Sequence, residues 1–335
     1  MTHQAIVGIV ANPTAGTDLR RLVAGARTTT RAEKVSIARR VAVGAAEGGA
    51  ERLCFLAGPH GIVEEACAGV DFALACEPLG VSARLDASDT IGAAAALRAA
   101  ECGAAVVLGG DGTCRAFAAG WLDAPLVALS TGTNNVFPML IEATVAGLAA
   151  GLVASGAVAM DDVALAQKVV HIEIEREAPD LALVDALLVA DSFVGAGIVT
   201  DPRTWRIAVM ARAEPAAVGV SAIGARLESI GAAADTALVA EFVEAAEASF
   251  VVRGPVAPGE FSAVGVRSHH LIGLDEPVEI TGPGVLALDG ERTRPLAPGQ
   301  RATLRVIRNG PRLVDPARVV AGAVPGGFWR SRRAG

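Results

Sequence analysis

Up to about residue 155, short apolar runs rich in β-branched residues alternate with segments of helical pattern. No other feature constrains the fold as strongly. The runs 5–11, 52–57, 81–85, 104–108 and 125–129 have the length and composition of buried strands. Between them, 32–47, 63–75 and 141–155 read as helices, as does a stretch capped by Asp86 or Ser88 that ends near Cys102. A further helix runs from the glycine-rich loop at 109–113 to about Gly120. Pro13 cannot donate to a ladder, so Asn12-Pro13 ends the first strand, and Gly48-Gly49 close the first helix. Such alternation predicts a mostly parallel sheet covered on both faces, with ligands bound outside the carboxyl ends of its strands.

Three loops follow predicted carboxyl ends: 12–16, 109–113 and 130–135. All are rich in Gly, Asn or Thr, so one shared site is expected there. The sharpest of them is Gly109-Gly110-Asp111-Gly112-Thr113. Its glycines permit close backbone approach, and successive N–H groups ahead of a helix form an anion-binding nest. Asp111 would repel a phosphate unless Mg²⁺ lies between them or the carboxylate takes a proton from an attacking hydroxyl. The same residues also read as ordinary Gly-Asp-Gly turn chemistry, and the loop alone does not separate the two. The GxxxxGK[ST] pattern is absent, which excludes the P-loop class.

Beyond about Val158 the pattern changes to a run of strands. His171, Glu173 and Glu175 alternate with Val170, Ile172 and Ile174, and 185–190, 248–253, 263–272, 277–281, 285–288 and 302–308 also read as strands. An antiparallel domain of two packed sheets is expected, with an inserted helix at 236–246. Asp315-Pro316 is a helix start, and that last helix is expected to pack back on the first domain.

Composition removes several classes. The chain has 335 residues, 52% of them hydrophobic, and mean hydropathy +0.46, yet no apolar run approaches the ~20 residues of a membrane helix. A net charge of -7 without a basic face argues against nucleic acid. Cys54, Cys67, Cys76, Cys102 and Cys114 form no CxxC pair and read as buried free thiols of a reducing compartment. The five histidines lack metal-ligand spacing. A soluble cytoplasmic protein is expected.

The NPxxG loop at 12–16, the GGDGT loop at 109–113 and the GTNN stretch at 132–135, in that order, resemble the superfamily of NAD kinases and diacylglycerol/sphingosine-type lipid kinases. Within it the chain is most similar to the NAD-kinase-like acetoin-catabolism X proteins, over nearly its whole length. The resemblance implies an α/β fold: a Rossmann-like nucleotide-binding domain over 1–156 and an antiparallel β-sandwich domain over 157–310. The segment 311–335 would pack back toward the first domain. It implies ATP as phosphate donor, held by Gly109, Gly110, Gly112 and Thr113, with Asn12, Thr14 and Gly16 nearby. Thr131, Gly132, Thr133 and Asn134 would sit beside the nucleotide. Asp111 would be the essential carboxylate, and Glu291, in the turn Leu288-Asp289-Gly290-Glu291, a candidate general base. Mg²⁺ would be held by Asp111 and Asp289, and Asn135, Asp191 and Ser221 would face the acceptor.

Two departures bear on that acceptor. The Asn-Glu dipeptide by which NAD kinases grip adenosine is missing, and Glu214 to Ala222 only faintly matches their Pro-Thr-Gly-Ser-Thr-Ala-Tyr motif in a chain without Tyr. GTNN is closer to the lipid-kinase GTGND loop. The first acceptor is the ribose 2′-hydroxyl of NAD, giving NADP. The alternatives are a lipid or other alcohol kinase, with Phe193, Val194, Ile198 and Val199 lining an apolar channel, and a non-catalytic nucleotide-binding regulator. The partners implied are small-molecule nucleotides and a second copy of the chain.

Overall fold

The computed structural model describes residues 4–15, 29–68, 74–81, 84–131, 135–190 and 201–330. Its first strands are β1 (Ile6–Ala11), β2 (Arg52–Phe55), β3 (Ala75–Pro78), β4 (Ala104–Gly109), β5 (Pro125–Ser130) and β6 (Ala164–Ala166). Next come β7 (Val169–Ile174), β8 (Asp180–Ala182), β9 (Asp185–Val189), β10 (Trp205–Met210), β11 (Thr236–Val243) and β12 (Phe250–Ala257). The last are β13 (Glu260–Gly273), β14 (Val278–Thr281), β15 (Gly284–Leu288), β16 (Glu291–Leu296), β17 (Arg301–Ile307) and β18 (Arg312–Val314).

The first sheet has the order β3-β2-β1-β4-β5-β18-β6 and is parallel from β3 through β18. The chain moves outward from β1 to β2 and β3, then returns to place β4 on the other side of β1. That reversal opens a crevice at the carboxyl ends of β1 and β4, where α/β sheets bind ligands. Two strands, β6 and β18, come from beyond residue 156. The helix Pro316–Ala323, capped by Asp315, buries Val319 and Ala323 in the core of this first sheet.

Helices cover both faces because the strands are apolar on both. Val7, Ile9, Val106 and Leu108 pack one way and Ile6, Val10, Ala105 and Val107 the other, all within 4% exposure. The helix Arg31–Glu47 starts at a capping box: the Thr30 hydroxyl accepts from the Glu33 N–H, and the Glu33 carboxylate accepts from the Thr30 N–H. It lies against the helix Ala143–Ala154 with glycines at the crossing. A Cβ on Gly147 would land on the Val41 carbonyl, and one on Gly44 on the Thr144 carbonyl.

The second half is a sandwich of two sheets, β12-β13-β11-β10-β9-β15-β16 and β14-β17-β7-β8, with Val170, Ile172, Leu188, Val209, Val239, Leu286 and Leu304 between them. The outer face of the larger sheet is covered by the short helix Val220–Gly224, over a layer in which Trp205 meets Phe242 edge to face at 5.4 Å. Among the described residues no helix is long and apolar enough to cross a membrane. The five cysteines are free, and Cys54, Cys102 and Cys114 are buried.

Two segments correct the sequence reading. The stretch 236–246 contains strand β11, not a helix. Ala237 and Val239 face the sandwich interior while Leu238, Ala240 and Phe242 face the other side. A strand buried on both faces shows no alternation, so its Ala and Glu content suggested a helix that tertiary packing overrides. The strand expected at 81–85 lies instead at Ala75–Pro78, paired with β2, and the helix expected at 63–75 stops at Cys67. Strands β6, β8, β10, β16 and β18 were not anticipated.

The glycine crossing gives a direct test. Gly147→Val should lower stability by about 1–3 kcal/mol through overpacking, seen as a lower urea midpoint. An unchanged midpoint would contradict the close helix contact.

Candidate functional site

Strands β1 and β4 run side by side, so the loops that leave them meet. The Asn12 N–H donates to the Leu108 carbonyl at 3.0 Å, and Asn12 Nδ2 donates to Thr113 Oγ1 at 2.8 Å. Asn12 Oδ1 accepts from both the N–H and the hydroxyl of Thr14, at 2.9 and 2.8 Å. Asn12 is thereby fixed as a brace between the first loop and the glycine loop.

The helix Asp111–Gly120 begins directly after β4. Its N-cap, Gly110, offers no side chain, so the first-turn N–H groups keep their affinity for an anion. Close packing explains the glycines here. A Cβ on Gly109 would strike the Thr113 side chain, one on Gly110 would sit 2.8 Å from Asn135 Oδ1, and one on Gly112 would sit 2.5 Å from Glu291 Oε1. Three sequence-selected residues, Gly112, Asn135 and Glu291, are thus brought to one turn from segments far apart in the chain.

Asp111 turns toward the segment after β5. Its Oδ1 accepts from the Val136 and Phe137 N–H groups at 3.1 and 2.8 Å. On the far side of the same segment, Arg212 stacks over the Phe137 ring at 4.8 Å, donates to the Val136 carbonyl at 3.4 Å and bonds the Gln167 side chain. The Val136 residue therefore links an acid to a base, its N–H on Asp111 and its carbonyl on Arg212. Burial pulls the Arg212 guanidinium below its usual range, against the pull of Glu214, Asp111 and Asp289. Cys114 is fully buried, and burial, with Asp111 and Asp289 nearby, pushes its thiol well up, which makes it an unreactive core residue.

Arg115, one helical turn past Asp111, faces the second half. Its guanidinium lies 3.1 Å from Glu291, 3.7 Å from Asp180 and 3.8 Å from Asp289. Arg115 and Glu291 line a cavity of about 270 Å³ together with Asn12, Thr14, Gly112 and Thr113.

Two expected roles do not survive this geometry. The Asp289 side chain has no exposure, and its carboxylate accepts from the Leu183, Val184 and Asp185 N–H groups. Burial pushes its carboxyl up to about 7, against the pull of Arg115 and the Leu183 N–H. It organises the β8–β9 corner and is sealed from a metal in the crevice. Ser221 is likewise spent, accepting from the Glu214 N–H and donating to the Arg212 carbonyl while 1% exposed. Thr131 is 4% exposed and its N–H donates to Gly109, so it supports the loop from below. Gly16, Gly132, Thr133, Asn134 and Asp191 lie outside the described residues, as do Phe193, Val194, Ile198 and Val199.

Among the described residues no group of three or more His, Cys, Asp or Glu is placed to hold a metal. Mg²⁺ bound with nucleotide needs only one or two carboxylates, because phosphate and water oxygens complete its shell. Asp111, half-buried at the crevice turn, is the carboxylate that would hold it there, through the lone pairs left over from its bonds to the Val136 and Phe137 N–H groups.

Arg115, Asp180 and Arg212 were not singled out from sequence. For Arg115 a signal was present: four residues after Asp111 on a helix places it one turn below the loop. Arg212 follows a strand and carries no local signature.

A crevice at a sheet reversal, a glycine loop opening a helix and a β-sandwich delivering Glu291 make up a kinase-like fold. Residues 7–157 match the family model of the ATP-NAD kinase N-terminal domain. Yeast NADH kinase complexed with NADH superposes with a TM-score of 0.51 at 12% identity, covering 100% of this chain and 91% of that one. A putative diacylglycerol kinase of Bacillus anthracis gives a TM-score of 0.46 at 12% identity, covering 95% and 98%. Residues 168–309 match the acetoin catabolism protein X C-terminal domain. The acetoin catabolism protein X of Cupriavidus necator is 32% identical over 330 residues, spanning 93% of this chain and 90% of that protein. The chain belongs to the acetoin catabolism protein X family.

Removing the base from the Asp111–Val136–Arg212 link should be expensive. Arg212→Leu is expected to lower stability by about 3 kcal/mol, because it strands Gln167 and the Val136 carbonyl in a buried setting. A loss below about 1 kcal/mol in urea titration would contradict the assigned role.

Proposed function

We propose that the protein is an ATP-dependent phosphotransferase acting on an alcohol, with the 2′-hydroxyl of NAD as first acceptor. The observation that carries this reading is the uncapped helix start Gly110–Thr113 at the crevice between β1 and β4, with Glu291 brought against Gly112 from the other half. A helix N-terminus of this kind favours phosphate, and a carboxylate beside it favours a hydroxyl that must lose a proton.

In the proposed mechanism the donor phosphates lie on the N–H groups of Gly112 and Thr113, and Asn12 holds Thr113 in place. The acceptor oxygen forms its bond to the γ-phosphorus while its proton passes to Glu291. The bond from that phosphorus to the β–γ bridging oxygen breaks, and ADP leaves with the electron pair. Mg²⁺ held near Asp111 would supply neutralisation of phosphate charge. Asp111 also holds the 136–137 backbone, which keeps the segment after β5 against the glycine loop. Catalysis in this scheme comes from positioning and electrostatics, as is general for phosphoryl transfer.

Labelled ATP presented with NAD, NADH, diacylglycerol and sphingoid bases identifies the acceptor. Label is expected in NADP. Label in a lipid would replace NAD as acceptor, and tight nucleotide binding without turnover would replace the enzyme with a regulator. Asp111→Asn should reduce turnover by at least about 10²-fold while circular dichroism stays unchanged. Turnover at the parental rate would remove Asp111 from the mechanism.

A further inference from the structure

We propose that Arg115 is the cation that grips the donor's terminal phosphates, and that by doing so it releases Glu291. The inference rests on reading the crevice as a nucleoside-triphosphate site.

Position is the first argument. Helical side chains lean toward the N-terminus of their helix, so Arg115 reaches back toward the uncapped turn at Gly110–Thr113. It lines the same cavity as Asn12, Gly112 and Thr113. Among the described residues lining that cavity it is the one Lys or Arg, set against Asp86, Asp89 and Glu291. Neither lysine of the chain lines it. Lys34 is 2% exposed with its Nζ donating to the Pro13 carbonyl, and Lys168 has no exposure, its Nζ donating to the Thr236 carbonyl.

Coordination is the second argument. A guanidinium carries five N–H donors in a planar fork that matches phosphate. Here three carboxylates surround it, yet only Glu291 is within hydrogen-bond range, at 3.1 Å, while Asp180 and Asp289 stand off at 3.7 and 3.8 Å. Nε is buried without a hydrogen-bond partner. Opposite charge is plentiful around it, but its hydrogen bonding is incomplete.

The three carboxylates also differ in freedom. Asp289 is fixed by three backbone N–H groups, and Asp180 is shared with Arg294 at 3.2 Å. Glu291 is the exposed one, at 53% for its side chain. A terminal phosphate arriving on the glycine loop competes with Glu291 for the outer edge of the guanidinium, while Asp180 and Asp289 keep the cation in place. Glu291 is then left beside Gly112 with its carboxylate free for the acceptor hydroxyl. The site stays closed on itself until a triphosphate enters.

The test is calorimetric titration of the full-length protein with ATP, ADP and AMP in Mg²⁺, for the parent, Arg115→Gln, Glu291→Gln and the double variant. Arg115→Gln should weaken ATP binding by about 10-fold or more and leave AMP within about 2-fold. Glu291→Gln should tighten ATP binding, and that gain should vanish in the double variant. A purely structural Arg115 would weaken all three nucleotides alike and show no such dependence. Unchanged ATP affinity in Arg115→Gln, or parallel loss of ATP and AMP, overturns the proposal. Should Arg115→Gln fail to fold, Glu291→Gln decides alone: tighter ATP binding sustains the proposal, and unchanged or weaker binding overturns it. A parent protein that binds none of the three nucleotides removes the nucleotide-site reading and this inference with it.

Discussion

The Asp111 carboxylate and the Arg212 guanidinium are joined through one backbone residue, Val136, whose N–H and carbonyl they hold from opposite sides. Much of the site depends on that link. It fixes the segment after β5 against the glycine loop, and it ties the first sheet to the end of β10 in the sandwich. Two opposite charges separated by a polar group avoid the full desolvation of a direct buried pair while still attracting each other. Stacking on Phe137 and the bond to Gln167 hold the guanidinium further, while its Nε stays buried without a hydrogen-bond partner. The arrangement is specific to an acid in a glycine turn and a base just past the end of a distant strand.

A second ionic group completes the junction. Arg115 comes from the helix after the glycine loop, and Asp180, Asp289 and Glu291 come from the sandwich. Arg294 extends it by bridging Asp180 and Glu177. Acids outnumber bases around the crevice, which suits a site that takes its phosphates together with a divalent cation. The two halves are therefore held at the same place where ligand chemistry is proposed. Groups that bind the ligand and groups that set the width of the crevice are partly the same residues.

The sequence made the phosphate end of this arrangement legible because its determinants are local. Glycine spacing, a strand before it, a helix after it and Asn12-Pro13 at the end of β1 are all readable within a few residues. Glu291 was reached only through family resemblance, since Asp-Gly before a strand is ordinary hairpin chemistry. Asp289 was assigned to metal because nothing in its neighbours reveals that three backbone N–H groups from Leu183 to Asp185 take its carboxylate. Arg212 and Phe137 meet across 75 positions of sequence, beyond any local pattern. In the fold, β11 was misread because burial on both faces erases the alternation that marks a strand. The helix pair at Gly44 and Gly147 left only small residues as its trace.

The central claim is that nucleotide phosphate rests on the helix start after β4. A crystal structure with a non-hydrolysable ATP analogue and Mg²⁺ tests it most directly. The terminal phosphates should lie within hydrogen-bond distance of the Gly112 and Thr113 N–H groups, in the crevice between β1 and β4. Density for the analogue elsewhere on the molecule, with that turn unchanged and in contact with solvent alone, would contradict it.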